Sequence, residues 1–173
     1  MAQLVKILSQ DGDKLYLLSI SGDDVVLARE DPRDKTQQWF KDYSRSSNLT
    51  DDNGRRTFAL VNKATRQAIV NRKDTSMQSD LQYRRGDVIK QVELAPYNYD
   101  DRVDISMLWT ELAENGNDDG FNIIAVLSDN SLMLCWQHDG NNVSTGQGMV
   151  TVNYFSGQGN RHWKIVPVGR NAW

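Results

Sequence analysis

Apolar residues in this chain fall into short runs rather than long stripes. Leu15-Tyr16-Leu17-Leu18-Ser19-Ile20 is one. Phe58-Ala59-Leu60-Val61-Asn62 with Ala68-Ile69-Val70 is a second set, and Phe121-Asn122-Ile123-Ile124 with Leu132-Met133-Leu134 a third. Gly, Asn, Asp and Ser separate them, which is the signature of β-strands joined by tight turns. Few windows carry an apolar period of 3.6 residues with caps, so long helices are not expected.

A coarser period lies over this pattern. Val26-Leu27-Ala28 leads to Gln38-Trp39-Phe40, Glu93-Leu94-Ala95 leads to Leu108-Trp109-Thr110, and Thr151-Val152-Asn153 leads to His162-Trp163-Lys164. From Leu27, Leu94 and Val152 to their tryptophans the distances are 12, 15 and 11 residues, by subtraction of the numbering. Each time a strand-like run crosses a polar stretch and arrives at a Trp in another apolar segment, so an internal threefold repeat is the first hypothesis. The copies span roughly 3–50, 56–113 and 120–168, inside a single domain covering 1–173. Three four-strand units predict an all-β fold, a pseudo-threefold β-trefoil with the three tryptophans inside near the barrel base. Barrel closure removes the sheet edges that would otherwise invite aggregation.

Composition narrows the function classes. The 173 residues are enough for one well-formed core, and the formal net charge is −3. Nucleic acid is a poor partner for such a surface; the pairs Arg55-Arg56 and Arg84-Arg85 read as solvated loop charge. No apolar run approaches membrane-spanning length, and the chain begins Met1-Ala2-Gln3-Leu4 without an apolar signal segment. Cys135 is the single cysteine, so no intrachain disulfide can form. Together these lead to the expectation of a cytoplasmic or nuclear protein, in which the sequons at Asn48 and Asn142 carry no glycan. Two polar stretches, 71–91 and 139–148, read as long loops.

Catalytic machinery is sparse. A nucleophilic triad needs a histidine between nucleophile and carboxylate, and only His138 and His162 exist. His162 beside Trp163 reads as packed or exposed in a strand rather than catalytic, and His138-Asp139 as a polar loop pair. No Cys/His spacing suggests zinc and no acidic loop suggests calcium. The expectation is a protein with no enzymatic activity, no cofactor and no metal.

Five segments sharpen the picture: Gln37-Gln38-Trp39-Phe40-Lys41-Asp42, Phe58-Ala59-Leu60-Val61-Asn62-Lys63-Ala64-Thr65, Leu94-Ala95-Pro96-Tyr97-Asn98, Leu108-Trp109-Thr110-Glu111 and His162-Trp163-Lys164-Ile165-Val166-Pro167. In order and spacing, over roughly residues 3 to 168, they resemble the Euonymus-lectin (EUL) domain of plants, a relative of the ricin B-type trefoil lectins. The resemblance implies a single trefoil domain, carbohydrate binding without catalysis, and a nucleocytoplasmic address linked to stress responses. It also implies a sugar site in one copy: an Asp after a Leu-x-Leu-like strand, an aromatic on the next hairpin, then Asn and Gln just before the Trp.

Carried onto the third copy, the Asp position falls on Cys135, the aromatic on Phe155, the Asn on Asn160 and the Gln on Arg161. Cys135 cannot accept two strong hydrogen bonds from vicinal hydroxyls, and Arg161 only donates. Two readings follow. In the first, the chain is a lectin: Phe155 or Trp136 stacks on the sugar, Asn160 binds hydroxyls, and His138, Asp139 or Gln158 replaces the missing carboxylate. The glycan is then of mannose or galactose type, or an acidic or sulfated one drawn by Arg161. In the second, sugar binding has been lost and the trefoil is a protein-interaction module, using exposed aromatics and the stretch 71–91 on a protein partner.

Overall fold

The computed structural model describes residues 2–46, 48–71, 90–100, 104–114, 119–127, 129–138, 148–154 and 160–169; at 90–91, 129–131, 137–138, 148–149 and 151–154 only the backbone is described. The first copy supplies β1 (Ala2–Asp11), β2 (Lys14–Ser21), β3 (Asp24–Ala28) and β4 (Trp39–Asp42). The second supplies β5 (Ala59–Asn62), β6 (Gln67–Val70), a short β7 (Lys90–Gln91), β8 (Glu93–Pro96) and β9 (Trp109–Leu112). The third supplies β10 (Ile123–Val126), β11 (Asp129–His138), β12 (Gly148–Tyr154) and β13 (Lys164–Pro167). The stretch 71–91 thus ends in strand β7, which pairs Lys90 with Val152 and Gln91 with Thr151; residues 72–89 lie outside the described residues.

Every paired strand in this sheet is antiparallel, and the pairing repeats three times. Leu18 faces Leu27, Ile69 faces Leu94, and Leu134 faces Val152. Further on, Val5 pairs with Trp39, Phe58 with Trp109, and Asn122 with Trp163. Strand β1 also pairs with β13, Ile7 opposite Ile165, which joins the last copy to the first. The fold is therefore the pseudo-threefold β-trefoil that the tryptophan spacing predicts.

Local sequence explains how the chain turns and where each Trp is delivered. Gly12 and Gly22 open the two-residue loops of the β1–β2 and β2–β3 hairpins at φ 60°, a conformation a Cβ disfavours. Before Trp39 and Trp109 the chain makes a single 3-10 turn, Lys35–Gln37 and Ile105–Met107. Asp34 caps the first by accepting from the Thr36 amide, and Asp104 caps the second through the Ser106 amide. In the third copy Asn160 makes the same side-chain-to-amide bond to His162, closer to its Trp.

Trp39, Trp109 and Trp163 are each 0% exposed and share one central cluster with Val5, Ile7, Leu18, Leu27, Phe58, Ile69 and Leu134. Two smaller clusters lie apart from it. Ala59, Val61, Ala68 and Leu108 form one, with Phe40, Tyr97, Met107 and Leu127 packed against them. Ile123, Ala125, Met133 and Cys135 form the other, with Leu112 at its margin. Among the described residues, no helix is long and apolar enough to cross a membrane.

Candidate functional site

Strand β11 carries the first of the expected site residues. Its segment Leu132-Met133-Leu134-Cys135-Trp136 is buried on both faces: Leu134 and Trp136 belong to the central cluster, Met133 and Cys135 to the smaller one behind it. Cys135 is 3% exposed. The equivalent positions one residue beyond Leu18 and Ile69 are Ser19 and Val70, and both are buried as well. Trp136, also 3% exposed, packs on the Tyr16 ring at 5.7 Å and donates its indole N–H to Ser9 Oγ at 2.6 Å. Ser9 in turn donates to the His162 carbonyl. The expectation that Cys135 and Trp136 touch a sugar is thereby corrected, because their side chains face protein.

The segment leading to Trp163 is different. Asn160 is tied through its backbone to Trp136, each amide donating to the other's carbonyl at 2.9 Å. Its side-chain oxygen accepts from the His162 amide at 3.0 Å and its Nδ2 donates to the Gln10 carbonyl at 2.5 Å. The amide expected to bind hydroxyls therefore already holds the third copy to the β1–β2 hairpin.

Arg161 and His162 meet a residue the sequence did not single out. Glu114, just past the end of β9, accepts from Arg161 Nη2 through Oε1 at 3.3 Å and contacts His162 Nε2 through Oε2 at 2.6 Å. All three side chains are partly open to solvent. The His162 contact, reinforced by Arg161 and outweighing the effect of burial, holds the Glu114 carboxyl below its ordinary range. A carboxylate thus stands beside Arg161 and His162, supplied by the link between the second and third copies. His138 ends β11 opposite Gly148 with only its backbone described. Asp139, Phe155 and Gln158 lie outside the described residues.

Other polar groups form structural networks. Lys41 Nζ donates to Glu111 Oε2 at 2.7 Å and lies 4.5 Å from the centre of the Phe58 ring, while Asn122 Nδ2 donates to Glu111 Oε1 at 2.8 Å. Burial alone would lower the Lys41 pKa, but Glu111 and Tyr43 outweigh it and raise it. Tyr97 Oη donates to Asp42 Oδ2 at 2.9 Å, and burial together with that carboxylate raises the Tyr97 pKa. An open cleft of about 320 Å³ lined by Asp23, Asp24, Val92, Glu93 and Leu94 includes none of the third-copy residues. Among the described residues, no group of three or more His, Cys, Asp or Glu is placed to hold a metal ion.

A closed threefold barrel, with a polar Asn-Arg pair leading into the last buried Trp, defines the class: a trefoil built like the ricin-type lectins. No family model matches the chain. Ricin B-like lectin R40G3 of Oryza sativa subsp. japonica is 36% identical over 155 residues, 88% of this chain and 68% of that protein. Ricin B-like lectin EULS3 of Arabidopsis thaliana is 32% identical over 166 residues, 94% of this chain and 47% of that protein. Among solved structures, the BEL β-trefoil superposes with a TM-score of 0.58 at 13% identity, over 96% of this chain and 93% of its own, a likeness of fold alone. The chain belongs to the ricin B-like lectin family, in its Euonymus-lectin form. It spans less than half the length of EULS3.

Proposed function

We propose that this chain is a carbohydrate-binding domain without catalytic activity, and that its glycan site is an altered one on the third copy. The observation that carries this reading is the surface triad of Arg161, His162 and Glu114: Arg161 stands at the position where the resemblance expects a hydroxyl-binding Gln, His162 lies between it and the buried Trp163, and Glu114 contacts both. A hexose presents hydroxyls that both donate and accept, and this group offers a guanidinium and an imidazole beside a carboxylate. Phe155, at the family's aromatic position, is the residue we assign to stack on the sugar ring. A monosaccharide binds such a shallow face weakly, at about millimolar Kd, worth ~4 kcal/mol. Glycan-array binding of the purified chain tests the proposal, with Phe155→Ala expected to abolish any signal; a silent array overturns it.

A second reading has its own observation. The Asn160 side chain is engaged at both ends by Gln10 and His162, which removes the amide from sugar recognition and suits a trefoil kept as a protein-interaction module. Under either reading we propose a cytoplasmic and nuclear location and a part in stress responses. Imaging of a fluorescent fusion tests the location, and N-glycans on Asn48 or Asn142 of the native protein would refute it.

A further inference from the structure

We propose that Glu114 is a specificity-determining residue of the third-copy face, a charge filter that turns away anionic glycans. The inference rests on the lectin reading above. Arg161 stands two residues before Trp163, where the family places a glutamine, and a guanidinium alone draws carboxylate or sulfate in bidentate fashion. In this structure it is not alone: Glu114 Oε1 lies 3.3 Å from Arg161 Nη2, and Glu114 Oε2 lies 2.6 Å from His162 Nε2. One carboxylate is shared between the two groups that would otherwise attract an anion.

The consequences for the two ligand classes differ. A sulfate or carboxylate approaching Arg161 must displace Glu114 or lie beside it, and like charges brought together across an interface are strongly disfavoured. A neutral hydroxyl meets no such obstacle. A carboxylate has lone-pair sites for about four hydrogen bonds, so Glu114 can accept from a hydroxyl while keeping both of its protein contacts. Glu114 comes from the link that follows the second copy and Arg161 from the third copy, 47 residues later, so the filter depends on how these segments dock and cannot be assigned from either alone. Partly exposed ion pairs contribute little to stability, which allows the carboxylate to be altered without losing the fold.

The test compares binding of albumin conjugates bearing galactose against galactose 6-sulfate, and mannose against mannose 6-phosphate, to wild type, Glu114→Gln and Arg161→Gln, with thermal melts confirming that each variant folds. Wild type is expected to favour the neutral member of each pair. Glu114→Gln should shift that ratio toward the anionic member by about tenfold, or ~1.4 kcal/mol, and Arg161→Gln should shift it the opposite way. Should Glu114→Gln fail to fold, Arg161→Gln carries the comparison. Wild type preferring the anionic members, or a ratio unmoved by the substitutions while binding persists, overturns the filter and leaves the lectin reading standing. Folded proteins that bind no conjugate overturn the lectin reading, and the filter with it.

Discussion

The indole N–H of Trp163 donates to the backbone carbonyl of Leu134 at 2.7 Å, and this bond exists in triplicate. Trp39 donates to Leu18 at 2.9 Å and Trp109 to Ile69 at 3.1 Å. The three acceptors are the residues that face Leu27, Leu94 and Val152 across their hairpins. Each Trp thus fills the core with its rings and satisfies a buried carbonyl with its nitrogen.

Two levels of substitution separate these roles. Replacing any of the three by Ala should destabilise the domain by about 3 to 5 kcal/mol through lost packing and a residual cavity. Replacing one by Phe keeps much of the apolar surface but orphans the carbonyl, at about 1 to 3 kcal/mol. Denaturant unfolding of the six variants should give the Phe set consistently milder losses. Equal losses in the two sets would show that the hydrogen bond, not the ring, dominates.

Two residues beyond each Trp the symmetry breaks. Trp39, Trp109 and Trp163 are followed at that spacing by Lys41, Glu111 and Ile165, and the first two form a partly buried contact at 2.7 Å. Removing one partner leaves the other's charge poorly matched in a half-sheltered place, so Lys41→Met or Glu111→Leu should each cost about 2 kcal/mol, between the values for exposed and fully buried pairs. The third copy manages with an apolar residue here, which argues that the barrel tolerates one. The double variant Lys41→Met with Glu111→Leu should therefore lie within about 1 kcal/mol of wild type, a coupling that a double-mutant cycle reads directly.

Acid stability has an identifiable contributor in the loop between the first and second copies. Asp51 is buried, yet its Oδ1 accepts from the Asn53 and Arg55 amides, both at 2.9 Å, and its Oδ2 accepts from Arg55 Nε at 2.6 Å. Burial pushes this carboxyl up, but the Arg55 and Asn53 bonds outweigh it and hold the pKa below the ordinary 3.8. A pKa lower in the folded than in the unfolded chain gives stability that is full above the unfolded value and is lost as pH falls through the folded one. Asp51→Asn, which keeps the two amide contacts and loses the ion pair, should lower stability near neutral pH by about 1 kcal/mol. It should also flatten the decline below pH ~4. Acid titration of unfolding followed by circular dichroism shows whether the two curves converge.

The repeat was legible because its signal is local. A Trp at a constant remove from an apolar strand reports residue type and spacing, and the register of Leu27, Leu94 and Val152 follows from both. The site was less so. Glu114 contacts Arg161 and His162 across 47 and 48 positions, and nothing in the acidic loop after β9 distinguishes this carboxylate from its neighbours. Pairing at that distance is decided by how the link after the second copy docks on the third, which no window of sequence contains. The burial of Cys135 and Trp136 did have a signal, and a lone Cys reads as a small buried hydrophobe as readily as a site residue. Leu132-Met133-Leu134-Cys135-Trp136 does not alternate, and a short continuous apolar run is how a strand covered on both faces reads.

Burial of Cys135 also changes what its replacement should do. At the family's Asp position an aspartate would be expected to recover sugar contacts, but this side chain sits among Ile123, Ala125 and Met133 with 3% of its surface exposed. An ionised carboxylate placed there is taken out of water among apolar neighbours, and it either remains neutral or destabilises the fold. Cys135→Ser should cost about 1 to 2 kcal/mol, the usual scale for one small polar substitution in a core. Cys135→Asp should cost clearly more and should lose further stability as pH rises from the unfolded carboxyl's pKa through its elevated value in the fold, the unfolded chain releasing that proton more readily than the folded one. Urea unfolding of both variants at pH 5 and pH 8 reads the difference. An Asp variant as stable as the Ser variant at pH 8 would show that this position reaches solvent, and would return Cys135 to the sugar-binding face.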